Sequence, residues 1–177
     1  MGADDAVHIH NDLIQTDEYG ISRILASFLQ QHEFDVIFGG FFSVDHGSGQ
    51  VAIRLARLLG IPHISAITAL EANQDHLLVT RDAEGDTEAI EVNMPVLLTA
   101  QQGLNEPRYP SLPGIMKAKK KPFRDLTLSD LRISAADISP KTQRTALSLP
   151  QQRTAGIILQ GTLSEQTSQL VKLLSLK

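Results

Sequence analysis

Residues 34–60 read FDVIFGGFFSVDHGSGQVAIRLARLLG, and their pattern changes twice. Phe34–Gly40 is an apolar run, interrupted only by Asp35, that ends in two glycines. A run of that kind is expected to be a buried parallel strand that stops where the backbone must turn sharply. A Gly- and Ser-rich loop follows. Then Val51, Leu55, Leu58 and Leu59 recur at helical spacing, which predicts a helix with Ser48 as its N-cap. Strand, glycine loop and helix in that order put the loop at the carboxyl end of a parallel strand, the place where open α/β sheets bind ligands.

Gly39–Ala52 has the chemistry to cradle a phosphate. Small residues let backbone N–H groups approach an anion, and a helix N-terminus adds about half a positive charge. No Lys-Ser/Thr pair follows the glycines and no G-x-G-x-x-G spacing is present, so neither common phosphate fingerprint applies. Pattern alone favours an ordinary strand-to-helix turn over a nucleotide site. Phe41 and Phe42 are expected in a core rather than as stacking platforms.

Upstream of this unit, Ala6–Ile9 reads as a short strand. Thr16 or Asp17 is expected to cap a helix whose stripe is Ile21, Ile24, Leu25, Phe28 and Leu29. His8 and His10 share one face of the first strand, but no third metal ligand lies near them in sequence, so solvated strand-end histidines are expected and no metal. Downstream of Pro62 the period changes to two. HISAITAL, HLLVTRD and EAIEVN are separated by the turn-forming EANQD and AEGD, which predicts a hairpin addition. PVLLTA (95–100) is a further core strand. From Thr127 to Pro150 the chain turns polar, as an arm with little core of its own would. TLSEQTSQLVKLLSL closes it with a helix whose Leu163, Leu170, Val171, Leu173 and Leu174 require a partner surface.

The chain of 177 residues carries 16 basic and 20 acidic side chains, a formal charge of −4, so any polyanion site must be local. It contains no Cys, which removes disulfides, iron–sulfur ligation and thiol catalysis and fits a cytoplasmic setting. No run approaches a membrane span, and the first ten residues lack the regions of a signal peptide. No catalytic triad or carboxylate dyad stands out.

One segment fits none of these patterns: LNEPRYPSLPGIMKAKKKP, residues 104–122. Its Lys117–Lys121 stretch and Arg124 lack the interleaved aromatics of a nucleic-acid surface and read as a solvated helix end. Pro107, Pro110 and Pro113 stiffen the backbone, so an exposed Leu112 would lose little entropy on association. The spacing of Leu112, Ile115 and Met116 serves equally for a docking knob and for a short core helix.

This segment closely resembles the signature of the electron transfer flavoprotein β subunit. The glycine loop resembles the same family's G-K-Q-A-I-D-D-D-T-G-Q-V-G, with Gly40, Asp45, Gly49 and Gln50 in matching places. VTRD (Val79–Asp82) resembles its V-E-R-E, and LSLPQQRTAGIILQG the start of its C-terminal arm. The resemblance covers essentially the whole chain. It implies a Rossmann-like, adenine-nucleotide-binding (HUP-type) α/β domain with a parallel sheet over residues 1–126, including the recognition loop 104–122. Residues 127–177 then form an extended arm and helix that dock on a partner subunit. The first strands of the family's domain have no counterpart in MGADDAVHIH, so the sheet is expected to be incomplete at the N-terminus.

The implied role is electron carriage rather than enzymatic catalysis. With an α subunit that holds most of one FAD, the pair would take electrons from acyl-CoA and other dehydrogenases in fatty acid β-oxidation. It would pass them to a membrane quinone oxidoreductase without inserting into the membrane and without binding nucleic acid. Residues matching the family's AMP surroundings are Gly40, Phe41, Phe42, Ser43, Val44, Asp45, His46, Gly47, Ser48, Gly49, Gln50 and Val51. Arg81 and Asp82 match a site near the flavin-domain interface. Arg108, Tyr109, Pro110, Ser111, Leu112, Pro113, Gly114, Ile115, Met116 and Lys117 match the recognition loop, with Leu112 as anchor. Phe41–Gly47 here replaces a Lys and two carboxylates, and Asp82 stands where the family has Glu. Other readings of the sequence are a stand-alone adenine-nucleotide-binding module and a degenerate fragment.

Overall fold

Val96–Ala100 is the most deeply buried strand of the molecule, and its alternation divides the interior in two. Val96 and Leu98 face a cluster with Ile64, Ile67, Leu77 and Val79. Leu97 faces the other way, against Ala26, Leu55 and Ala56. The period-two geometry of a strand allows one short segment to serve both layers.

The computed structural model describes residues 2–10, 15–153 and 155–175. In chain order the elements are β1 (Ala6–Ile9), α1 (Glu18–Leu29), β2 (Val36–Gly40), α2 (Val51–Leu59), β3 (His63–Ala72), β4 (His76–Ala83) and β5 (Asp86–Asn93). They continue with β6 (Val96–Ala100), α3 (Leu112–Ala118), β7 (Phe123–Leu126), a 3-10 turn (Ala135–Ile138) and α4 (Leu163–Ser175). Leu176, the last residue of the helix expected from the sequence, lies outside the described residues.

The main sheet has five strands in the order β2-β6-β3-β4-β5. β6 runs parallel to β2 and to β3, whereas β4 and β5 extend the sheet antiparallel. The chain is thus a mixed α/β fold in which the hairpin addition continues the parallel sheet. β1 pairs with β7, in parallel and in a separate two-stranded sheet. β2 is parallel as expected but not fully buried. Pairing with β6 alone leaves it at an edge, and Phe38 is 55% exposed.

Between Ile64 and Ile67 the register of β3 against β6 shifts, and Ala66 adopts φ 60°. A bulge of this kind leaves a backbone group without its ladder partner. The buried Thr99 compensates, because its Oγ1 accepts the Ala66 N–H at 2.9 Å.

Asp17 is the cap of α1, accepting from the N–H groups of Tyr19 and Gly20 at 3.0 and 3.1 Å. Thr16, the other candidate, donates instead to the Ile138 carbonyl. The stretch after Thr127 has more structure than its polar composition suggests. Leu131 and Ile138 are buried, and Ser27 donates to the Leu131 carbonyl. The second oxygen of Asp17 accepts from the Lys141 and Thr142 N–H groups and the Thr142 hydroxyl. Two apolar anchors and these polar ties hold the stretch against α1, and the first compact unit runs Met1–Gln143.

Arg144–Lys177 forms a second unit. Its helix α4 opens at Thr162, whose N–H and hydroxyl both donate to Glu165 and hold that carboxyl below its ordinary pKa against slight desolvation. Leu170, Val171, Leu173 and Leu174 are exposed on α4.

Thr99→Val keeps the shape of the side chain but strands the Ala66 N–H. It should cost about 1–3 kcal/mol in urea unfolding with little change in m-value. At Asp17, partial desolvation raises the pKa, but hydrogen bonds from Gly20, Lys141 and Thr142 outweigh it and set it at about 2. A depressed folded-state pKa means that the stabilisation is present above the ordinary carboxylate pKa and is lost as pH falls from about 4 through 2. Asp17→Asn should therefore lower the thermal midpoint at pH 7 and flatten its fall over that acid window, which a midpoint-against-pH series would show.

Candidate functional site

The carboxyl end of β2 and the amino end of α2 enclose an open cleft of about 240 Å³, where the glycine loop had been expected to place a site. Gly40, Ser43, Ser48, Gly49, Gln50 and Val51 line it, together with the face of Phe42 and with Ala52. Its floor is made by the chain doubling back on itself. Ser43 N–H donates to the Ser48 carbonyl at 2.7 Å, and Gly47 N–H to the Ser43 carbonyl at 2.8 Å. Gly49 closes the loop against Phe41, where an added Cβ would stand 2.8 Å from the Phe41 carbonyl oxygen. Backbone bonds rather than the Asp45 side chain order the turn.

The expected N-cap is corrected by the structure. Gln50, not Ser48, occupies the cap position, and it makes no side-chain capping bond. Its Oε1 accepts instead from Arg54 Nε and Nη2, at 3.1 and 2.8 Å. The first turn of α2 also holds no acidic residue. The leading N–H groups of this helix thus meet no side-chain acceptor at the cleft. That is the electrostatic condition for an anion at a helix N-terminus.

The two phenylalanines are also not the core residues that the sequence suggested. Phe41 is 43% and Phe42 56% exposed, and Phe42 forms an apolar wall of the cleft. Val44, Asp45, His46 and Gly47 lie on the turn and do not line the cleft. Arg81 and Asp82 are on β4, separated from β2 by β6 and β3. Arg81 Nε is 2.7 Å from Glu88 Oε2 across the hairpin, and Asp82 is in register with Thr87. The structure does not bring these two to the glycine loop.

In the proline-rich segment, Ser111 caps α3 by accepting the Gly114 N–H at 3.2 Å. Leu112 is 77% exposed, Tyr109 and Met116 are exposed, and Ile115 is half-buried. A core helix would bury Leu112 and Met116, so the spacing is resolved in favour of an outward-facing element. Lys121 donates to the Ala3 carbonyl and pairs with Asp4, and Arg124 pairs with Asp5, so part of the basic stretch ties the N-terminal strand to β7. Lys117, Lys119 and Lys120 remain exposed.

One juxtaposition was not visible in the sequence. The parallel register of β1 on β7 sets Asp125 opposite His8, with His8 Nδ1 2.8 Å from Asp125 Oδ1. The two residues are 117 positions apart. No local pattern announces that pairing. Among the described residues, no helix is long and apolar enough to cross a membrane.

Comparison with known proteins bears on all of these features together. The family model described as the electron transfer flavoprotein domain matches residues 1–131. The chain is 52% identical to the electron transfer flavoprotein subunit beta of Bacillus subtilis over 98% of its own length and 68% of that relative's. It is 38% identical to the subunit beta of Syntrophomonas wolfei over 89% of its length and 59% of that relative's. With the mouse subunit beta it shares 32% identity over 92% of its length and 64% of that relative's. The chain thus spans roughly two thirds, or somewhat less, of the curated relatives it matches.

Proposed function

Because the chain belongs to the electron transfer flavoprotein family, on its β-subunit side, we propose that it carries electrons as the β partner of an α subunit. In this reading the pair accepts electrons from acyl-CoA and other dehydrogenases and delivers them to a membrane quinone oxidoreductase. FAD, held mainly by the α subunit, supplies the electron-accepting group when bound. The role of this chain is to position, recognise and support.

The observation that carries the recognition role is the exposure of Leu112. A leucine side chain 77% open to solvent, capped onto α3 by Ser111 and flanked by Pro110 and Pro113, is already ordered before a partner arrives. Preorganisation of that kind reduces the entropy lost on docking. The exposed Lys117, Lys119 and Lys120 beside it would steer an acidic partner surface. Residues 108–117 therefore form the dehydrogenase-recognition element. The apolar face of α4 and the extended residues before it form the arm that docks on the α subunit.

The cleft at the start of α2 suits AMP. Unaccepted N–H groups at the helix start offer hydrogen bonds and partial positive charge to the phosphate, and the exposed ring of Phe42 offers an apolar wall. The phosphate is held by the backbone, which is why losing the family's Lys and two carboxylates at Phe41–Gly47 is tolerated. The parallel strands β2, β6 and β3 with α1 and α2 on one face fit a Rossmann-like, HUP-type domain.

In a heterodimer reconstituted with an α subunit, Leu112→Ala should slow reduction by an acyl-CoA dehydrogenase by about tenfold or more, on the scale of a buried hot spot. Thermal midpoint and flavin content should stay near wild type, because an exposed side chain carries little folding energy. Reduction at the wild-type rate would refute the recognition role. Gly49→Ala drives a methyl group into the Phe41 carbonyl and distorts the cleft floor. The purified heterodimer should then lose most of its AMP while retaining FAD, and wild-type AMP content would show that the cleft is not the nucleotide site.

A further inference from the structure

Three side chains able to ligate a metal converge at the β1–β7 pair, whose second strand begins directly after the recognition segment. His8 and His10 stand on one face of β1 because strand side chains alternate. Asp125 of β7 lies directly across from His8 in the parallel register. One ligand atom from each of the three lies within 4.8 Å of the other two. The His8 and His10 rings are stacked with centroids 5.6 Å apart, and Phe123 stacks on the outer side of His8 at 6.4 Å.

We propose that His8, His10 and Asp125 bind one zinc ion that staples β1 to β7. Two imidazole nitrogens and one carboxylate oxygen form a donor set suited to tetrahedral Zn²⁺, with water completing the fourth position. A calcium or magnesium site would need several oxygen ligands, and this cluster supplies one carboxylate. Zinc bonds of about 2.0–2.1 Å place tetrahedral ligand atoms roughly 3.3 Å apart, so the widest separation in the cluster closes by at most about 1.5 Å while the His8–Asp125 contact opens slightly. The side chains of His8 and Asp125 are 59% and 57% exposed and can rotate that far without disturbing a core. His8 Nδ1 and Asp125 Oδ1 are already paired at 2.8 Å.

The staple has a structural purpose. Among the described strands, β7 is the neighbour of β1, and the pair is only four residues long on each side. A metal bridge between positions so distant in the chain would hold the N-terminal strand where hydrogen bonds alone are few. The proposal does not depend on the electron-carrier reading.

The test is calorimetric titration of the tag-free 177-residue chain, freed of metal by chelator, with ZnCl₂ at pH 7.5. Wild-type protein should take up one ion per chain, and excess zinc should raise its thermal midpoint by several degrees. Asp125→Asn, which preserves shape and hydrogen bonding, and His10→Ala should each weaken binding by about tenfold or more and abolish the thermal shift. His32→Ala, elsewhere on the surface, should bind as wild type. Far-UV circular dichroism without zinc verifies that each variant is folded, and the near-isosteric Asp125→Asn keeps the test decisive if His10→Ala is not. Absence of zinc uptake by the wild-type chain would overturn the proposal, as would wild-type affinity in folded Asp125→Asn.

Discussion

Burial of β6 on both faces is the constraint from which the main sheet follows. Val96, Leu97 and Leu98 are fully buried, and removing each such side chain from water contributes about 1.5–3 kcal/mol. A strand buried on both faces must also satisfy its backbone on both edges, and β2 and β3 do so in parallel. Once β2 is paired residue by residue with β6, its carboxyl end meets the start of α2, and the glycine loop has one path between them. The cleft is therefore a consequence of strand pairing as much as of loop composition.

Polar groups perform a comparable service where apolar residues are sparse. Asp17 caps α1 with one oxygen and ties Lys141 and Thr142 with the other. Thr16 and Ser27 reach the carbonyls of Ile138 and Leu131. Thr99 repairs the bulge in β3. In each case a short side chain accepts or donates where the ladder or helix would otherwise leave a backbone group unpaired, and leaving such a group buried costs more than the bond contributes. Similar ties cap α3 at Ser111 and open α4 at Glu165, yet both helices keep large apolar side chains in solvent.

The local pattern of the sequence determined a good deal by itself. Periodicity located both amphipathic helices, the hairpin strands and α4, and short apolar runs located β1 and β6, because the spacing of side chains is imposed by the geometry of each element and is written residue by residue. The glycine loop was placed at a strand end next to a helix, and that placement holds. The proline-rich motif and the loop together resembled one family, and family comparison supports that membership, since a long motif with several constrained positions rarely recurs by chance.

What tertiary structure alone decided involves partners far apart in the chain. Whether Leu112 faces inward or outward could not be read from spacing, since both arrangements use the same helical stripe. Ser48 looked like a cap, but its carbonyl is engaged by the Ser43 N–H that closes the loop, and Gln50 takes the cap position. Phe38 looked buried because an apolar run does not reveal which strand lies at an edge. Asp125 stands beside His8 because β1 pairs with β7, and strand pairing depends on the path of more than a hundred intervening residues. Local chemistry is encoded in neighbouring positions, whereas juxtaposition is the outcome of burying the whole set of apolar faces at once.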